Sequence, residues 1–323
     1  MKVLGISMGR KMGNSEILLK HALKAIEEED HEVSFLRLHD YKINNCTGCE
    51  ACTKQRTGGN DLHCFHSWDS DDFYFLMQQV KECNALILAA PAYHLMPPGF
   101  GIAMLNRNIC MKVSDWKTTD VNGNETDKKI CATIGVAGSD WDSLMMPVLS
   151  FMAQKMTGSH MKLVDQMLCQ GIPSVSIVST HQDMLDRATQ LGKNMARELV
   201  KVGDDCTYYG EEKLLNVCPI CHSNLLTIRP NGRVTCAFCD VEGDMVLDEN
   251  KRIKRIDWDG GIEISRWSAF GKKKHDEKQD VALKEDTAAK QGYVLSDEQK
   301  QMIRNTVAEW KDYLVPIKPP KAN

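Results

Sequence analysis

A chain of 323 residues exceeds one average domain and points to two, with room for a tail. Its 42% hydrophobic content, without any apolar run of membrane-spanning length, argues against a membrane protein, and a net charge of −4 gives no reason to expect nucleic acid as the main partner. Thirteen cysteines, eight of them in two ligand-like groups, point to metal rather than disulfides, and the absence of a signal-peptide pattern sets the expectation of a cytoplasmic protein.

In chain order, Lys2 to Ser7 is a short apolar run of the kind that makes a buried parallel strand. The loop MGRKMGN follows, then a helix from Ser15 to Glu28 with Ile17, Leu18, Leu19, Ala22, Leu23 and Ile26 near helical spacing and Asn14 or Ser15 as N-cap. Strand, glycine-bearing loop and helix N-terminus together favour an anion, because free backbone N–H groups and the helix dipole point at it. The loop has neither the Walker ending nor a G-x-G-x-x-G spacing, so a monophosphate is the expected ligand.

A second strand at Glu32 to Leu38 leads directly into Asn45 to Cys64, where Cys46, Cys49 and Cys52 form C-x-x-C-x-x-C and Cys64 follows after a glycine-containing stretch. Three neighbouring thiolates cannot pair among themselves and must converge on one object. Ferredoxin-type 4Fe-4S clusters use this spacing, with the remaining ligand arriving from elsewhere. Zinc is the rival occupant. Cys64 is taken as the fourth ligand, with His63 or His66 as its substitutes.

Helix from Asp69 to Cys83, strand from Ala85 to Ala90, a proline-stiffened loop PAYHLMPPGFG and a helix to about Met111 come next. Ser114 to Lys128 reads as a polar surface excursion with a turn at Asn122-Gly123. A strand at Lys129 to Val136 ends in AGSDWDS, a helix runs from Leu144 to Met156, a fifth strand from Met161 to Cys169, and an amphipathic helix from His181 to Val202. Such alternation predicts a parallel sheet covered on both faces, with ligands beyond the strand carboxyl ends. The loops after Ser7, Ala90 and Val136 all fall at that edge.

Here the residues resemble a known family. Arg10, Gly13, Asn14 and Ser15 resemble the R-x-x-G-N-S/T phosphate loop of the NADPH-dependent FMN reductase group, and Pro91 and Tyr93 match its P-x-Y loop. Asn106-Arg107 stands where that group usually has Asp-Arg. Together with C-x-x-C-x-x-C, the resemblance narrows to the iron–sulfur flavoproteins, which carry FMN and a 4Fe-4S cluster. It implies a flavodoxin-like, doubly wound five-stranded parallel sheet over residues 1–203, with the cluster loop at 46–64. It further implies that Ser7, Arg10, Gly13, Asn14 and Ser15 hold the FMN phosphate. Pro91, Ala92, Tyr93 and His94 would then flank the ring, with Gly135, Val136, Ala137, Gly138 and Ser139 on its other side. His94 is a candidate proton donor. A homo-oligomer is expected, because in the related proteins one subunit's cluster approaches another's flavin. The chain departs from the family at Met8, in place of a phosphate-loop serine, at Ile102, in place of a lysine, and in the longer gap before Cys64.

Cys218, Cys221, Cys236 and Cys239 make two C-x-x-C knuckles joined by a hairpin with its turn at Pro230-Asn231-Gly232, the pattern of a zinc ribbon over 214–250, with mononuclear iron as the alternative metal. The remainder, 251–323, is expected to hold a strand at Gly261 to Trp267, a charged segment, and a terminal helix at Ser296 to Leu314. That helix has a Ser296/Gln299 capping box, and its stripe of Ile303, Val307, Trp310 and Leu314 is expected to pack on its own chain. Cys83, Cys110, Cys131, Cys169 and Cys206 are expected to be buried core.

The functional expectation is an oxidoreductase passing electrons between a ferredoxin-like or NAD(P)H donor and an acceptor through 4Fe-4S and FMN. The competing readings are an NAD(P)H-dependent flavin reductase with zinc in the cysteine loop, and a non-enzymatic scaffold or regulator using the ribbon.

Overall fold

The computed structural model describes residues 1–49, 51–52, 64, 70–111, 117–119, 122–123, 125–126, 129–141, 148–153, 155–156, 161–201, 206–210, 217–263, 265, 268, 270–271, 273–274, 295–313 and 316. Five parallel strands form the main sheet: β1 (Lys2–Ser7), β2 (Glu32–Arg37), β3 (Ala85–Pro91), β6 (Ile130–Val136) and β7 (Lys162–Cys169), in the order β2-β1-β3-β6-β7. β1 is paired on both sides, with Ile6 opposite Leu36 and Leu88. β3 and β6 are buried over nearly their whole length, which is why they read as unbroken apolar runs.

The period-two alternation of each strand divides the core into two layers. Val3, Ile87, Ala132 and Val164 face α1 (Asn14–Glu27) and α4 (Gln182–Leu199). Leu4, Ile6, Leu88 and Leu163 face α2 (Phe73–Glu82), α3 (Gly99–Arg107) and a helical segment at 148–153. Burying a side chain such as Ile6 or Leu88 contributes about 1.5–3 kcal/mol. Polar ties lock the α1 and α4 layer. Asp165 on β7 is buried and accepts from Arg187 at 2.6 Å and from Asn194 at 2.8 Å, both on α4. The five singly placed cysteines, Cys83, Cys110, Cys131, Cys169 and Cys206, are all buried.

Between α3 and β6, a 3-10 turn (Asn108–Met111) and a small antiparallel pair, β4 (Thr118–Thr119) with β5 (Glu125–Thr126), replace the expected plain excursion. Gly123, at φ +81, makes the turn that the Asn-Gly pair signals.

The second sheet has the order β11-β10-β9-β8 and is antiparallel. Its strands are β8 (Leu226–Ile228), β9 (Val234–Cys236), β10 (Glu242–Leu247) and β11 (Ile253–Gly260). β11 carries the ribbon's sheet past the expected boundary at 250. The strand expected at Gly261 to Trp267 does not start there: Gly261, at φ +77, turns the chain as β11 ends. The remaining residues of that expectation, 264 and 266–267, lie outside the described residues.

Residues 1–271 form one compact unit and 272–323 another. In the second unit, α5 (Asp297–Trp310) starts with the expected capping box: Gln299 N–H donates to Ser296 Oγ, and Ser296 N–H donates to Gln299 Oε1 at 2.9 Å. The stripe of Ile303, Val307 and Trp310 was expected to pack on the chain, yet no residue of α5 is buried. Leu314 lies outside the described residues.

Candidate functional site

A cavity of about 260 Å³ opens at the carboxyl edge of the main sheet. Its floor is the β1 to α1 loop, with Gly9, Arg10, Gly13, Asn14 and Ser15. One wall is Pro91, Ala92 and Tyr93 after β3, and another is Val136 and Gly138 after β6. The loop after β7 supplies a third wall of Ile172, Pro173 and Val175 that the sequence reading missed. The same strand-end rule covers that loop, and its Gly171 and Pro173 are the signal that marks it.

The floor is shaped for an anion that approaches the backbone closely. Gly13 is the N-cap of α1 and carries no side-chain cap, so the first N–H groups of the helix are left for a ligand. A Cβ on Gly9 would stand 2.2 Å from Ser15 Oγ, so any larger residue there would displace the serine hydroxyl. Ser7 is buried with its Oγ accepting the Gly9 N–H at 3.1 Å, so it shapes the loop from below and does not line the cavity. Arg10 is exposed at the cavity edge.

The Asn14 side chain reaches across to the third wall. Its Nδ2 donates to the carbonyls of Ile172 at 3.0 Å and Ser174 at 2.8 Å, and its Oδ1 accepts the Val178 N–H. The side-chain amide thus pins the third wall against the floor. Met8, the departure from the family's serine, is buried and points into the core. Gly101 on α3 accommodates it: a Cβ there would lie 2.4 Å from Met8 Sδ. The methionine and the PPGFG run are therefore one packing solution.

Of the five residues expected on the far wall, Val136 and Gly138 line the cavity. Gly135 is packed against Leu149 and Leu168, and Ala137 is buried in the core. Ser139 accepts the Trp141 N–H at its Oγ and the Gly171 N–H at its carbonyl, so it joins the second and third walls. His94 is exposed and not part of the lining. It and Leu95 take φ +49 and +71 in a two-residue turn closed by Tyr93 N–H to Met96 O at 2.9 Å. Two consecutive non-glycine residues there cost about 1–2 kcal/mol each. The turn holds Tyr93, Leu95 and Met96 outward at the cavity mouth, all more than a third exposed.

The cysteine loop leaves the same sheet edge next door. Its two ends are zipped together: Asp72 N–H donates to Lys42 O at 2.9 Å, Lys42 N–H to Asp72 Oδ2 at 2.7 Å, and Asn44 N–H to Asp71 Oδ2 at 2.7 Å. Arg107 from α3 stands behind this base, buried, paired with Asp71 and donating to Asn44 O at 3.1 Å, with the Phe73 ring 4.0 Å beneath its guanidinium. Burial alone would raise the Asp71 pKa, but Arg107 and the N–H groups of Asn44 and Phe73 hold it below the usual carboxylate range. Breaking such a buried pair costs about 3–5 kcal/mol.

Cys46 and Cys49 are exposed, and Cys52 and Cys64 are half-buried. Cys52 and Cys64 both pack against the core layer under α2 and α3, the layer to which Met8 belongs. Cys110 belongs to that layer, and burial pushes its thiol up to about 12, with the Cys64 and Cys52 thiols adding to the effect. His63 and His66 lie outside the described residues. The four loop cysteines do not gather within the 4.8 Å reach of a single ion.

The other cysteine set is closed. Sγ atoms of Cys218, Cys221, Cys236 and Cys239 lie within 4.8 Å of one another and all four residues are buried. The two knuckles repeat one geometry. Ile220 N–H points to Cys218 Sγ and Phe238 N–H to Cys236 Sγ, each at 3.4 Å, and His222 and Asp240 both turn the chain at positive φ. The ribbon is fixed to the main domain by His222 stacked on Tyr208 at 3.7 Å, by Gln166 Nε2 donating to His222 O at 3.0 Å, and by Ser223 Oγ against Ser150 Oγ at 3.2 Å.

The sheet order, the anion-ready floor and a cavity at the strand ends place a ligand site at the carboxyl edge of a doubly wound sheet. Residues 1–160 match the family model described as NADPH-dependent FMN reductase, which with the relatives below marks the chain as a flavin-dependent oxidoreductase. An iron–sulfur flavoprotein of Methanocaldococcus jannaschii is 36% identical over 94 residues, 29% of this chain and 44% of that protein, so the match spans less than half of the relative. Flavone synthase cfoJ of Aspergillus candidus is 25% identical over 296 residues, covering 85% of this chain and 87% of its own. Among solved structures, a flavone reductase superposes with a TM-score of 0.70 at 20% identity over 99% of this chain and 100% of that one, a likeness of fold. No helix among the described residues is long and apolar enough to cross a membrane.

Proposed function

We propose that this FMN-dependent oxidoreductase is an iron–sulfur flavoprotein, in which the Cys46, Cys49, Cys52 and Cys64 loop holds a 4Fe-4S cluster and the ribbon holds structural zinc. Electrons pass between a ferredoxin-like or NAD(P)H donor and an acceptor. The observation that carries this reading is that Cys52 and Cys64 both pack on the core layer to which Met8 belongs, and Met8 is next in sequence to Gly9 of the cavity floor. FMN supplies two-electron chemistry with single-electron release, and the cluster carries one electron at a time.

The chain's own residues divide the work. Gly9, Gly13, the α1 N-terminus, Ser15 and Arg10 receive the phosphate, and Asn14 keeps the third wall in place. Pro91, Ala92 and Val136 present apolar surface to the ring, and the strained turn at Tyr93 to Met96 forms the mouth. The protein acts in the cytoplasm as a homo-oligomer.

The acceptor is a flat aromatic molecule of the flavonoid kind. That reading is supported by the near full-length relationship to a flavone synthase, taken in the reverse direction in which the flavone is reduced and FMN reoxidised, and by the exposed Tyr93, Leu95 and Met96 at the cavity mouth, which suit an apolar ring better than a sugar or a carboxylate. Anaerobic stopped-flow reduction tests the whole reading. Reduced ferredoxin or NAD(P)H should reduce bound FMN, and a flavone added afterwards should reoxidise it. FMN that no donor reduces, or that a flavone leaves reduced, contradicts the proposal.

A further inference from the structure

We infer that Arg107 is the positioning residue of the cysteine centre: it closes the loop at its base, beside the Tyr74 hydroxyl that holds the Cys64 backbone. The inference rests on the reading that the loop holds a cluster, and it adds a residue from α3 that lies in neither cysteine motif.

Three observations converge on this arginine. Its guanidinium is one of the largest fully buried side chains in the protein, although an arginine is almost never fully buried without a reason. Nη1 and Nη2 are spent on Asp71 and on the Asn44 carbonyl, which belong to the two ends of the loop, so a single side chain fixes the distance between residue 44 and residue 71. The third donor, Nε–H, is buried and has no partner among the described residues. An unmet donor in that setting is costly, and the acceptor it lacks is the kind that sulfur ligands of a cluster provide.

Cys64 shares the core layer on which the loop base rests. The Cys64 backbone is held by its N–H donating to Tyr74 Oη at 2.6 Å. Tyr74 sits on α2, one turn from the Asp71 end of the loop, and Arg107 sits on α3. Cys64 is therefore held from α2, and the base of its loop is held from α3.

The test compares wild type with Arg107→Gln, Arg107→Lys and Tyr74→Phe, all purified anaerobically with FMN bound. Iron and acid-labile sulfide per FMN are measured, together with the cluster midpoint potential by redox titration. Arg107→Gln should carry about tenfold less iron and sulfide per FMN under limiting iron, the scale expected for losing a residue that orients a metal ligand. Arg107→Lys keeps the charge without the planar fork, so it should recover part of the content at a shifted potential. Tyr74→Phe should lower the content while leaving the Arg107–Asp71 pair in place, and it decides the matter if the arginine variants fail to fold. Variants with full FMN, wild-type iron and sulfide and an unchanged potential would overturn the role given to Arg107. Wild-type protein with FMN but without sulfide would overturn the cluster reading together with it.

Discussion

The two cysteine regions reach metal-ready geometry by opposite routes. In the ribbon, everything needed is local: each knuckle turns on its own positive-φ residue, each leading thiol receives an N–H two residues on, and one hairpin brings the pairs within a single ion's reach. In the loop, the Cys64 backbone is held by Tyr74, and the loop's base is closed by Asp71 and Arg107 from elsewhere in the chain. The ribbon is buried and closed, which suits a structural ion. The loop has two exposed thiols, which suits a centre that must exchange electrons.

The largest effect should come from breaking the ribbon. Cys236→Ser, or stripping the metal with a chelator, should unfold residues 217–260, since a structural zinc site contributes on the order of 10 kcal/mol to its own folding. Hydrogen exchange should show loss of protection across β8 to β11 with the main sheet retained. Cys49→Ser in the loop should have a different result: iron and sulfide are lost, while FMN binding and the melting transition stay close to wild type, because no core packing depends on that exposed thiol. Absorbance of the bound flavin and cluster, followed through thermal unfolding, separates the two outcomes.

Gly9→Ala should weaken FMN binding by about 1–3 kcal/mol, because its Cβ lands on Ser15 Oγ in the phosphate floor. Fluorescence titration with FMN measures this. Acid should act through Glu16: burial raises its pKa, but hydrogen bonds from Arg37 and Lys20 outweigh that and lower it to about 2 from the ordinary 4.5. Its contribution is fully present above 4.5 and is lost as pH falls toward 2. Denaturant midpoints should drop across that window, and Glu16→Gln should flatten the drop. The smallest effect is at the strained turn, where Leu95→Gly should stabilise the fold by about 1 kcal/mol while slowing turnover of an apolar acceptor. Urea unfolding and acceptor kinetics on the same variant check both halves.

Most of the main sheet is legible from sequence because buried parallel strands are unbroken apolar runs, and β3 and β6 are the plainest examples. β10 and β11 are not legible for the opposite reason. They are half exposed and polar, and they are held across strands by charge: Arg233 pairs with Glu242 at 3.2 Å, with Asp244 at 3.1 Å and with Asp259. No apolar run marks such strands. Within the site, the glycines, Asn14 and the P-x-Y loop fall on the cavity as their place at strand ends suggests. The bonds of the Asn14 amide to Ile172 and Ser174 are not legible, because only the tertiary fold brings those carbonyls to it. Arg107 matched a family position, yet its partners at 44 and 71 come together only in the folded chain.

The contrast between the two cysteine regions is tested most directly by measuring iron, zinc, acid-labile sulfide and FMN on one anaerobic preparation. The account predicts about four iron and four sulfide per FMN from the loop and about one zinc from the ribbon. Zinc in both regions, with no acid-labile sulfide, would contradict it.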